Sequence, residues 1–372
     1  MFFMRIKHLA RSWKGFILHF EDEFHSQGAC YGQIHRFPDH RLGGRLRHPA
    51  ILLQEAERVR LRVQRRLRRA AEKGILLRRR PQALVAGLLL LLVGLVAAGS
   101  AAACTLFGLA GPDAAGGGTL LVKNRDWRPD QTQRLELVSP AGGSPYLGLF
   151  ATGGGASGLK AGVNAAGLSV ISATVSSIPR EERKAEKGVG GILRRLLSEC
   201  GSVEQALARR DLFAHAKPCF YMLADRREVA RVETAPGGRF AVTRVSRGPL
   251  WQTNHYLEPS LADFNQTIGV SSRTRAARIE SLLDSLKKPA DLDALLALSR
   301  DRADGPDNSI WRTGGTPAST RTMATFAVAM PPQGPGTLYL RTADPDTPER
   351  MRTIRLDAAV FTGKRALARS AR

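Results

Sequence analysis

The order of strand-like and helix-like segments after residue 119 constrains the fold of this chain more than any other feature. Short apolar runs separated by glycine turns predict strands, and runs with a 3.6-residue period predict helices. The predicted strands lie at residues 119–123, 134–138, 146–150, 168–175, 219–224, 229–234, 240–245, 250–253, 323–330, 336–341 and 351–356. The predicted helices lie at residues 191–199, 203–212, 274–286 and 292–299. This order predicts stacked antiparallel sheets covered by helices, an α+β fold.

A long uncharged segment stands before that pattern. It follows the basic triplet Arg78-Arg79-Arg80, has its apolar centre at residues 83–98 and reaches the small residues Ala101-Ala102-Ala103. A basic start, an apolar centre and small residues form the layout of a secretory signal peptide with an A-x-A cleavage site. We therefore expect signal peptidase to cut after Ala103, which would leave Cys104 as a new N-terminus.

The same segment is long enough to span a bilayer if it is not cut. The basic triplet would then stay in the cytoplasm, and residues 83–103 would contact the membrane. Both outcomes place the rest of the chain in the periplasm or the extracellular space. The sequence thus predicts three parts: a basic extension at residues 1–74, a signal peptide or membrane segment at 75–103, and a catalytic domain at 104–372.

The N-terminal region holds much of the positive charge of the chain. Residues 1–80 carry +12 of the formal net charge of +23. Three interpretations of the extension stay open: a basic amphipathic helix on an anionic membrane surface, a solvated extension, or a stretch that is not translated because the true start lies near Leu76 or Leu77. The basic residues are not interleaved with aromatic ones, and no helix-turn-helix pattern is present, so we predict no nucleic-acid partner.

The spacing of cysteine and histidine argues against a metal site. The four cysteines, at positions 30, 104, 200 and 219, form no CxxC pair, and no histidine cluster accompanies them. We therefore predict neither a metal nor a cofactor. For Cys200 and Cys219, two free thiols and a disulfide formed in an oxidising compartment are both open interpretations.

A cysteine at a freed N-terminus combines a nucleophile with its own base. An α-amine has a pKa of about 7.7–8.0 and a thiol a pKa of about 8.5, so the amine of Cys104 can take the thiol proton without a histidine. The predicted mature segment has only two histidines, His215 and His255. An amide substrate also needs an oxyanion donor, for which Asn254 is a candidate, and Asp126 is a candidate acceptor for the Cys104 amine.

Five motifs follow one another along the predicted mature segment. They are Cys104-Thr105, Asn124-Arg125-Asp126-Trp127, Gly162-Val163-Asn164-Ala165-Ala166-Gly167-Leu168, Thr253-Asn254-His255-Tyr256 and Ser271-Ser272-Arg273-Thr274-Arg275-Ala276-Ala277-Arg278. With these motifs in this order, residues 104–372 resemble the Ntn-hydrolase superfamily of choloylglycine hydrolases, penicillin V acylases and isopenicillin-N-type acyltransferases. The Thr-Asn-His form looks more like the acyltransferase branch than the bile-salt branch.

The resemblance implies a four-layer αββα sandwich and a set of site residues. Cys104 would be the nucleophile and its amine the base, Asp126 would orient that amine, and Asn254 would donate to the oxyanion. Arg275 would lie near the nucleophile, and Thr174 falls where some members place an oxyanion-contributing residue. The structural alternatives are a turn cap for Asp126, strand-end backbone contacts for Asn254 and a solvated helix position for Arg275.

The chain departs from the pattern of choloylglycine hydrolases at Lys123. Those enzymes have an arginine directly before the asparagine of the Asn-x-Asp-Trp turn, and lysine lacks the planar fork of arginine. Arg125 is expected to lie on the opposite face of the strand, where it would not replace that arginine. The departure argues against bile-salt specificity more than against the chemistry.

These features predict an exported N-terminal-cysteine hydrolase that cleaves linear amide C–N bonds of N-acyl compounds through a thioester acyl-enzyme. The substrate would be a small-molecule N-acyl amide, such as an acyl-amino acid, a penicillin-like amide or an acyl-homoserine lactone. Two alternatives stay open: an acyltransferase of the acyl-CoA:6-aminopenicillanate type, and a non-catalytic relative that is membrane-anchored or lipidated at Cys104. The sequence leaves the acyl group, the amine leaving group and homo-oligomer formation undetermined.

Overall fold

The computed structural model of the protein describes residues 103–364. The predicted extension at residues 1–74 lies outside the described residues, and so does the predicted signal peptide or membrane segment, except for Ala103. Within residues 103–364, none of the helices has the length and apolar character needed to cross a membrane.

The described chain alternates between strands and short helices. The strands are β1 Cys104–Ala110, β2 Thr119–Trp127, β3 Thr132–Val138, β4 Tyr146–Thr152, β5 Gly158–Asn164, β6 Ser169–Ala173, β7 Cys219–Ala224, β8 Val229–Thr234, β9 Phe240–Val245, β10 Gly248–Gln252, β11 Arg321–Met330, β12 Gly336–Thr342 and β13 Arg350–Leu356. The helices are α1 Arg180–Ala185, α2 Ile192–Glu199, α3 Val203–Ala208, α4 Arg210–Ala214, α5 Val270–Ser285, α6 Leu292–Ser299, α7 Gly305–Asn308 and α8 Ala358–Phe361. Three 3-10 turns lie at Gly111–Asp113, Pro236–Gly238 and Pro259–Phe264.

The strands form two antiparallel sheets. The six-stranded sheet has the order β10-β1-β2-β11-β12-β13, and the seven-stranded sheet has the order β3-β4-β5-β6-β7-β8-β9. The seven-stranded sheet follows chain order, so its neighbours are joined by short connections and by the α1–α4 segment. The six-stranded sheet instead brings the first described strands beside strands from the end of the chain.

The main core lies between the two sheets. Alternate residues of each strand face it, as the two-residue period of a strand requires. Members of this core include Leu106, Leu121 and Phe326 from the six-stranded sheet and Leu147, Ile171 and Met222 from the seven-stranded sheet.

Helices cover the outer face of each sheet. On the seven-stranded sheet, Leu196 and Leu197 of α2 pack with Val170 and Tyr221. On the six-stranded sheet, residues of α5 and α6 pack with residues of β1 and β2, among them Ile279, Leu283, Leu295, Phe107 and Val122. Three apolar layers therefore separate four layers of secondary structure, which confirms the predicted α+β fold with its αββα order.

Two glycines fix the tight connection between β1 and β2. Gly111 has a φ of +69° and Gly118 a φ of +78°, a region that favours glycine. A Cβ at Gly111 would collide with the carbonyl oxygen of Ser246, and one at Gly118 with that of Met330. The connection sets the register of the hairpin, which pairs Cys104 with Arg125 at its open end.

Candidate active site

Cys104 begins β1 and is 7% exposed, at the edge of the core between the sheets. Its backbone nitrogen donates to Asn254 Oδ1 at 3.1 Å, and its carbonyl oxygen accepts from Arg275 Nη1 at 2.8 Å. Lys123 Nζ lies 3.7 Å from its Sγ, within the range of a weak N–H···S hydrogen bond. The thiol is therefore held on a backbone that two side chains from other elements fix in place.

Asn254 follows β10 and is completely buried. Its Oδ1 accepts from the Cys104 nitrogen and from Arg275 Nη2, the latter at 2.8 Å, while its Nδ2 donates to the carbonyl of Thr174 at 2.8 Å. Its own backbone nitrogen donates to Ser272 Oγ at 3.0 Å. This asparagine links the start of β1, helix α5 and the end of β6. Its predicted role as oxyanion donor stays a prediction.

Arg275 projects from α5 and is completely buried. Besides Cys104 and Asn254, its guanidinium contacts Thr105 Oγ1 at 2.9 Å and Ser271 Oγ at 3.2 Å. Burial lowers the pKa of Arg275 to about 10, and the Asp126 carboxylate opposes this shift. The solvated helix position considered for Arg275 is therefore wrong, because the helix turns this side chain into the protein.

Asp126 lies in β2 with no exposed surface. Its Oδ1 accepts from Thr322 Oγ1 at 2.8 Å, and its Oδ2 is buried without a hydrogen-bond partner. Burial raises the pKa of Asp126, and the positive charges of Arg312 and Arg275 oppose that rise. A turn cap is excluded because the residue is inside a strand. Its predicted part in orienting the Cys104 amine stays a prediction, since the Cys104 nitrogen here donates to Asn254.

Thr174 directly follows β6 and contributes its backbone to the site. Its carbonyl oxygen accepts from Asn254 Nδ2, while the backbone nitrogens of Ser176 and Ser177 donate to the Asn254 carbonyl at 2.9 Å and 3.2 Å. The segment after β6 thus contacts both the side-chain amide and the backbone carbonyl of Asn254. A contribution of Thr174 to an oxyanion site stays a prediction.

Lys123 is the site residue whose contact the sequence did not predict. It is 1% exposed, and its Nζ donates to the carbonyl of Ser172 as well as approaching Cys104 Sγ. Burial lowers the pKa of Lys123, and the charge of a Cys104 thiolate opposes this shift. The hairpin pairs position 123 with Leu106, which shares a strand face with Cys104, so the contact follows from the β1–β2 register.

Arg125 lies on the same face of β2 as Lys123, so the expectation that it occupies the opposite face is wrong. Positions two apart along a strand share a face. Its Nη2 donates to Gln131 Oε1, and its guanidinium stacks on Trp127 at 5.6 Å from the ring centre. Burial lowers the pKa of Arg125.

His255 supports the site without touching Cys104. Its Nδ1 lies 2.8 Å from Ser272 Oγ, the oxygen that also accepts from the Asn254 backbone. Burial, together with the positive charges of Arg275 and Arg273, lowers the pKa of His255 to about 4. A neutral ring lets Nδ1 accept a hydrogen bond from the Ser272 hydroxyl, and this contact gives the histidine a structural role.

A cleft of about 660 Å³ lies beside the site. Its lining includes Ser157, Ser172 and Cys219, whereas Cys104 is not part of it. Ser172 and Cys219 connect the two, because Ser172 accepts from Lys123 and Cys219 Sγ donates to the carbonyl of Ala173 at 3.4 Å. Cys219 and Cys200 are both free thiols, and no group of acidic, cysteine or histidine side chains within residues 103–364 is arranged to hold a metal ion.

The structure brings together four of the five predicted site residues. Cys104, Asn254, Arg275 and Thr174 are joined by direct hydrogen bonds, and Asp126 lies within electrostatic reach of Arg275. The sequence did not point to Lys123, Thr105 or Ser272 as partners of these residues.

Comparison with known proteins identifies a family for this chain. Residues 114–346 match the family model described as AAT: Acyl-coenzyme A:6-aminopenicillanic acid acyl-transferase, a segment that begins after Cys104. No curated protein sequence matches the chain.

Solved structures similar to this chain include two variant forms of conjugated bile acid hydrolase from Clostridium perfringens. They are 14% and 15% identical to it, each with a TM-score of 0.40, and each match covers 72% of this chain and 95% of that one. A third is the Caenorhabditis elegans ortholog of N-acylethanolamine-hydrolyzing acid amidase. It is 12% identical with a TM-score of 0.41, and the match covers 62% of this chain and 94% of that one.

Proposed function

Because the chain belongs to the acyl-coenzyme A:6-aminopenicillanic acid acyl-transferase family, we propose that it hydrolyses linear amide C–N bonds of N-acyl compounds with Cys104 as the nucleophile. The observation that carries the proposal is the surroundings of that thiol. A buried lysine lies 3.7 Å from its sulfur, and Asn254 and Arg275 hold its backbone. A nucleophile needs such positioning, whereas a thiol that only packs in a core does not need it.

Maturation after Ala103 is part of the proposal. It would turn the Cys104 nitrogen, which already donates to Asn254 Oδ1, into an amine that can take the thiol proton. The thiolate would attack the amide carbonyl carbon to give a tetrahedral oxyanion. When the C–N bond breaks, the protonated amine would return the proton to the leaving nitrogen. Water activated by the same amine would then release the acid from the thioester.

Oxyanion stabilisation is assigned to Asn254. Its side-chain amide carries two hydrogens, and the Thr174 carbonyl accepts from this nitrogen at 2.8 Å, which leaves the second hydrogen for the developing charge. Arg275 keeps Oδ1 of the same amide occupied, so the amide group is fixed in orientation. Asp126, with one oxygen that has no hydrogen-bond partner, balances the charge of Arg275.

A second candidate function is acyl transfer, which the description of the matching family favours. The same thioester would then pass its acyl group to an amine in place of water. The two reactions differ only in the second step, so the product distinguishes them. Incubation with an N-acyl amide and an added amine would give free acid for a hydrolase and a new amide for a transferase.

Export is proposed on the layout of residues 75–103, which place a basic, an apolar and a small-residue segment before Cys104. Intact mass and N-terminal sequencing of the protein from the exported fraction test it. Cys104 as a free first residue supports the mechanism. A lipidated Cys104, or an uncut chain, would remove the amine base and favour an anchored, non-catalytic relative.

The catalytic test compares Cys104→Ala and Cys104→Ser with the parent on a panel of N-acyl amides. We expect the parent to accumulate a thioester, seen as an acyl mass increment on the Cys104 peptide, and Cys104→Ala to lose turnover while keeping the circular dichroism and melting curve of the parent. Unchanged turnover by Cys104→Ala would rule out the proposed nucleophile.

A further inference from the structure

We propose that Lys160 forms an anion subsite beside Cys104, and that the amide substrate therefore carries a carboxylate. The inference deepens the proposed function, on which it rests for the identity of the nucleophile. It selects acyl-amino acids and other carboxylated amides among the N-acyl compounds considered, and it disfavours neutral amides such as acyl-homoserine lactones.

A bulge in β5 directs Lys160. The pairing of β4 with β5 shifts between Leu149, which faces Ala161, and Phe150, which faces Leu159. Lys160 is consequently the extra residue, and a bulge of this kind changes the direction in which a side chain points. Its Nζ donates to the carbonyl of Ser157 at 3.1 Å, on the wall of the 660 Å³ cleft.

Ser172 connects Lys160 with the nucleophile. Its Oγ lies 3.5 Å from the carbonyl of Lys160, and its own carbonyl accepts from Lys123 Nζ, which approaches Cys104 Sγ. Both Ser157 and Ser172 line the cleft. The Lys160 ammonium therefore lies against the cleft wall at Ser157, and Ser172 leads from that wall to the lysine that approaches Cys104.

The cations around this point are not balanced by ion pairs. Among residues 103–364, no salt bridge includes Lys160, Lys123 or Arg125. Burial lowers the pKa of Lys160 to about 8, and the charges of Arg125 and Lys123 act in the same direction. Cations that are partly buried together repel one another, and an anionic group placed among them relieves this repulsion.

The groups that face Lys160 come from three other strands, two of them in the six-stranded sheet. Arg125 and Lys123 lie on β2, and the thiols of Cys104 and Cys219 lie on β1 and β7. Among acidic groups, Asp126 acts on both Arg125 and Lys123, and Asp130 and Asp344 act on Arg125. A carboxylate from the substrate would be the partner that these lysines lack.

Binding to the Cys104→Ala protein tests the subsite without turnover. Calorimetry would compare two ligands that differ on the amine side of the scissile amide. N-octanoylglycine carries a carboxylate there, and N-octanoylglycinamide carries a neutral amide. It would also compare glutaryl anilide, whose acyl chain ends in a carboxylate, with pentanoyl anilide, whose acyl chain is neutral. We expect the anionic member of one pair to bind about tenfold more tightly, the effect of one charge-assisted hydrogen bond.

Lys160→Met, added to Cys104→Ala, should abolish that preference. Lys217→Met is the matched control, because Lys217 lines the same cleft, is exposed and donates to the Lys184 carbonyl at 3.3 Å. It should change the preference less than twofold. Equal binding within both pairs, binding of neither anionic ligand, or a preference that survives Lys160→Met would each overturn the subsite.

The preference also depends on pH. Since the pKa of Lys160 is about 8, the ammonium and the carboxylate preference should be present at pH 7 and decline at pH 9. Turnover by the protein with its cysteine intact separates the two proposals. Preferential binding without hydrolysis would contradict the proposed function alone, and hydrolysis without preference would contradict the subsite alone.

Discussion

Lys123 places a titratable amine beside Cys104, at a position where an arginine would keep a fixed charge. At 3.7 Å from Cys104 Sγ, an ammonium stabilises the thiolate, whereas a neutral amine can take the thiol proton. Arginine offers only the first, because it stays protonated. In the proposed mechanism, this lysine is a second proton acceptor beside Cys104, in addition to the α-amine.

Removing this amine should slow the alkylation of the Cys104 thiol. We expect Lys123→Met to lower the rate at which iodoacetamide alkylates Cys104 about tenfold at pH 7, the effect of losing about 1.4 kcal/mol of favourable interaction with the thiolate. Lys123→Arg should keep most of the rate. Mass spectrometry of the Cys104 peptide over time gives both rates, with Cys104→Ala as the blank. Equal alkylation of the parent and Lys123→Met would contradict this role.

His255 makes stability depend on pH in the acid range. Its folded pKa of about 4 lies below the ordinary value of 6.5, so between these values the unfolded chain binds the extra proton. The free energy of unfolding should thus fall as the pH falls, by roughly 2 kcal/mol between pH 7 and pH 5 from this residue.

His255→Asn isolates that contribution, because an asparagine oxygen can accept from Ser272 without titrating. Urea unfolding at pH 7 and pH 5 should show a loss of stability for the parent that is about 2 kcal/mol larger than the loss for the variant. Identical losses would show that His255 is not responsible.

The β1–β2 hairpin is the element on which the position of Cys104 depends. Gly116 and Gly118 in its turn have nearly equal φ angles, +75° and +78°. A Cβ at Gly116 would meet nothing within 4 Å, whereas one at Gly118 would meet the Met330 carbonyl and Pro331 Cα. The pair separates the cost of the backbone angle from the cost of a collision.

Gly118→Ala should therefore destabilise the protein more than Gly116→Ala. We expect a loss of about 1 kcal/mol for Gly116→Ala, from the left-handed conformation alone. For Gly118→Ala we expect about 3 kcal/mol, because the strand end must also move. Chemical denaturation measures both. Equal losses would mean that β11 yields to the added methyl group.

The strands that alternation and glycine turns predicted are present, and the two that were not predicted have particular reasons. β1 directly follows the predicted signal peptide and continues its uncharged, small and apolar composition, so composition does not separate the two. In β5, Gly162 and Asn164 are of residue types that are depleted in strands. The predicted helix at residues 203–212 is divided at Arg209, where ψ is 54°.

The site was predictable to the extent that motifs carry it. Asn254 and Arg275 come from motifs, and both contact Cys104. The contacts of Lys123 with Cys104 Sγ and with the Ser172 carbonyl were not predicted, because they depend on strand register and on the packing of one sheet over the other. Neither is encoded in the spacing of residues along the chain.

For the whole molecule, the four layers are built from residues 103–364, and residues 1–74 lie before the predicted signal segment. We expect deletion of residues 1–74 to leave export and amide hydrolysis unchanged, because the retained segment begins with its own basic residues. Activity in the exported fraction measures this. Loss of secretion by the shortened protein, with expression unchanged, would show that the extension is needed.

Two hydrogen bonds cross from one sheet to the other at the nucleophile. Lys123 donates to the Ser172 carbonyl and Asn254 donates to the Thr174 carbonyl, so each ties a residue of the six-stranded side to the end of β6. The site residues therefore connect the two sheets at one end of the sandwich. Substitutions that widen the space between the sheets here would disturb the contacts around Cys104 before they unfold the protein. Under the proposed function, selection for turnover would also maintain the distance between the sheets at this end.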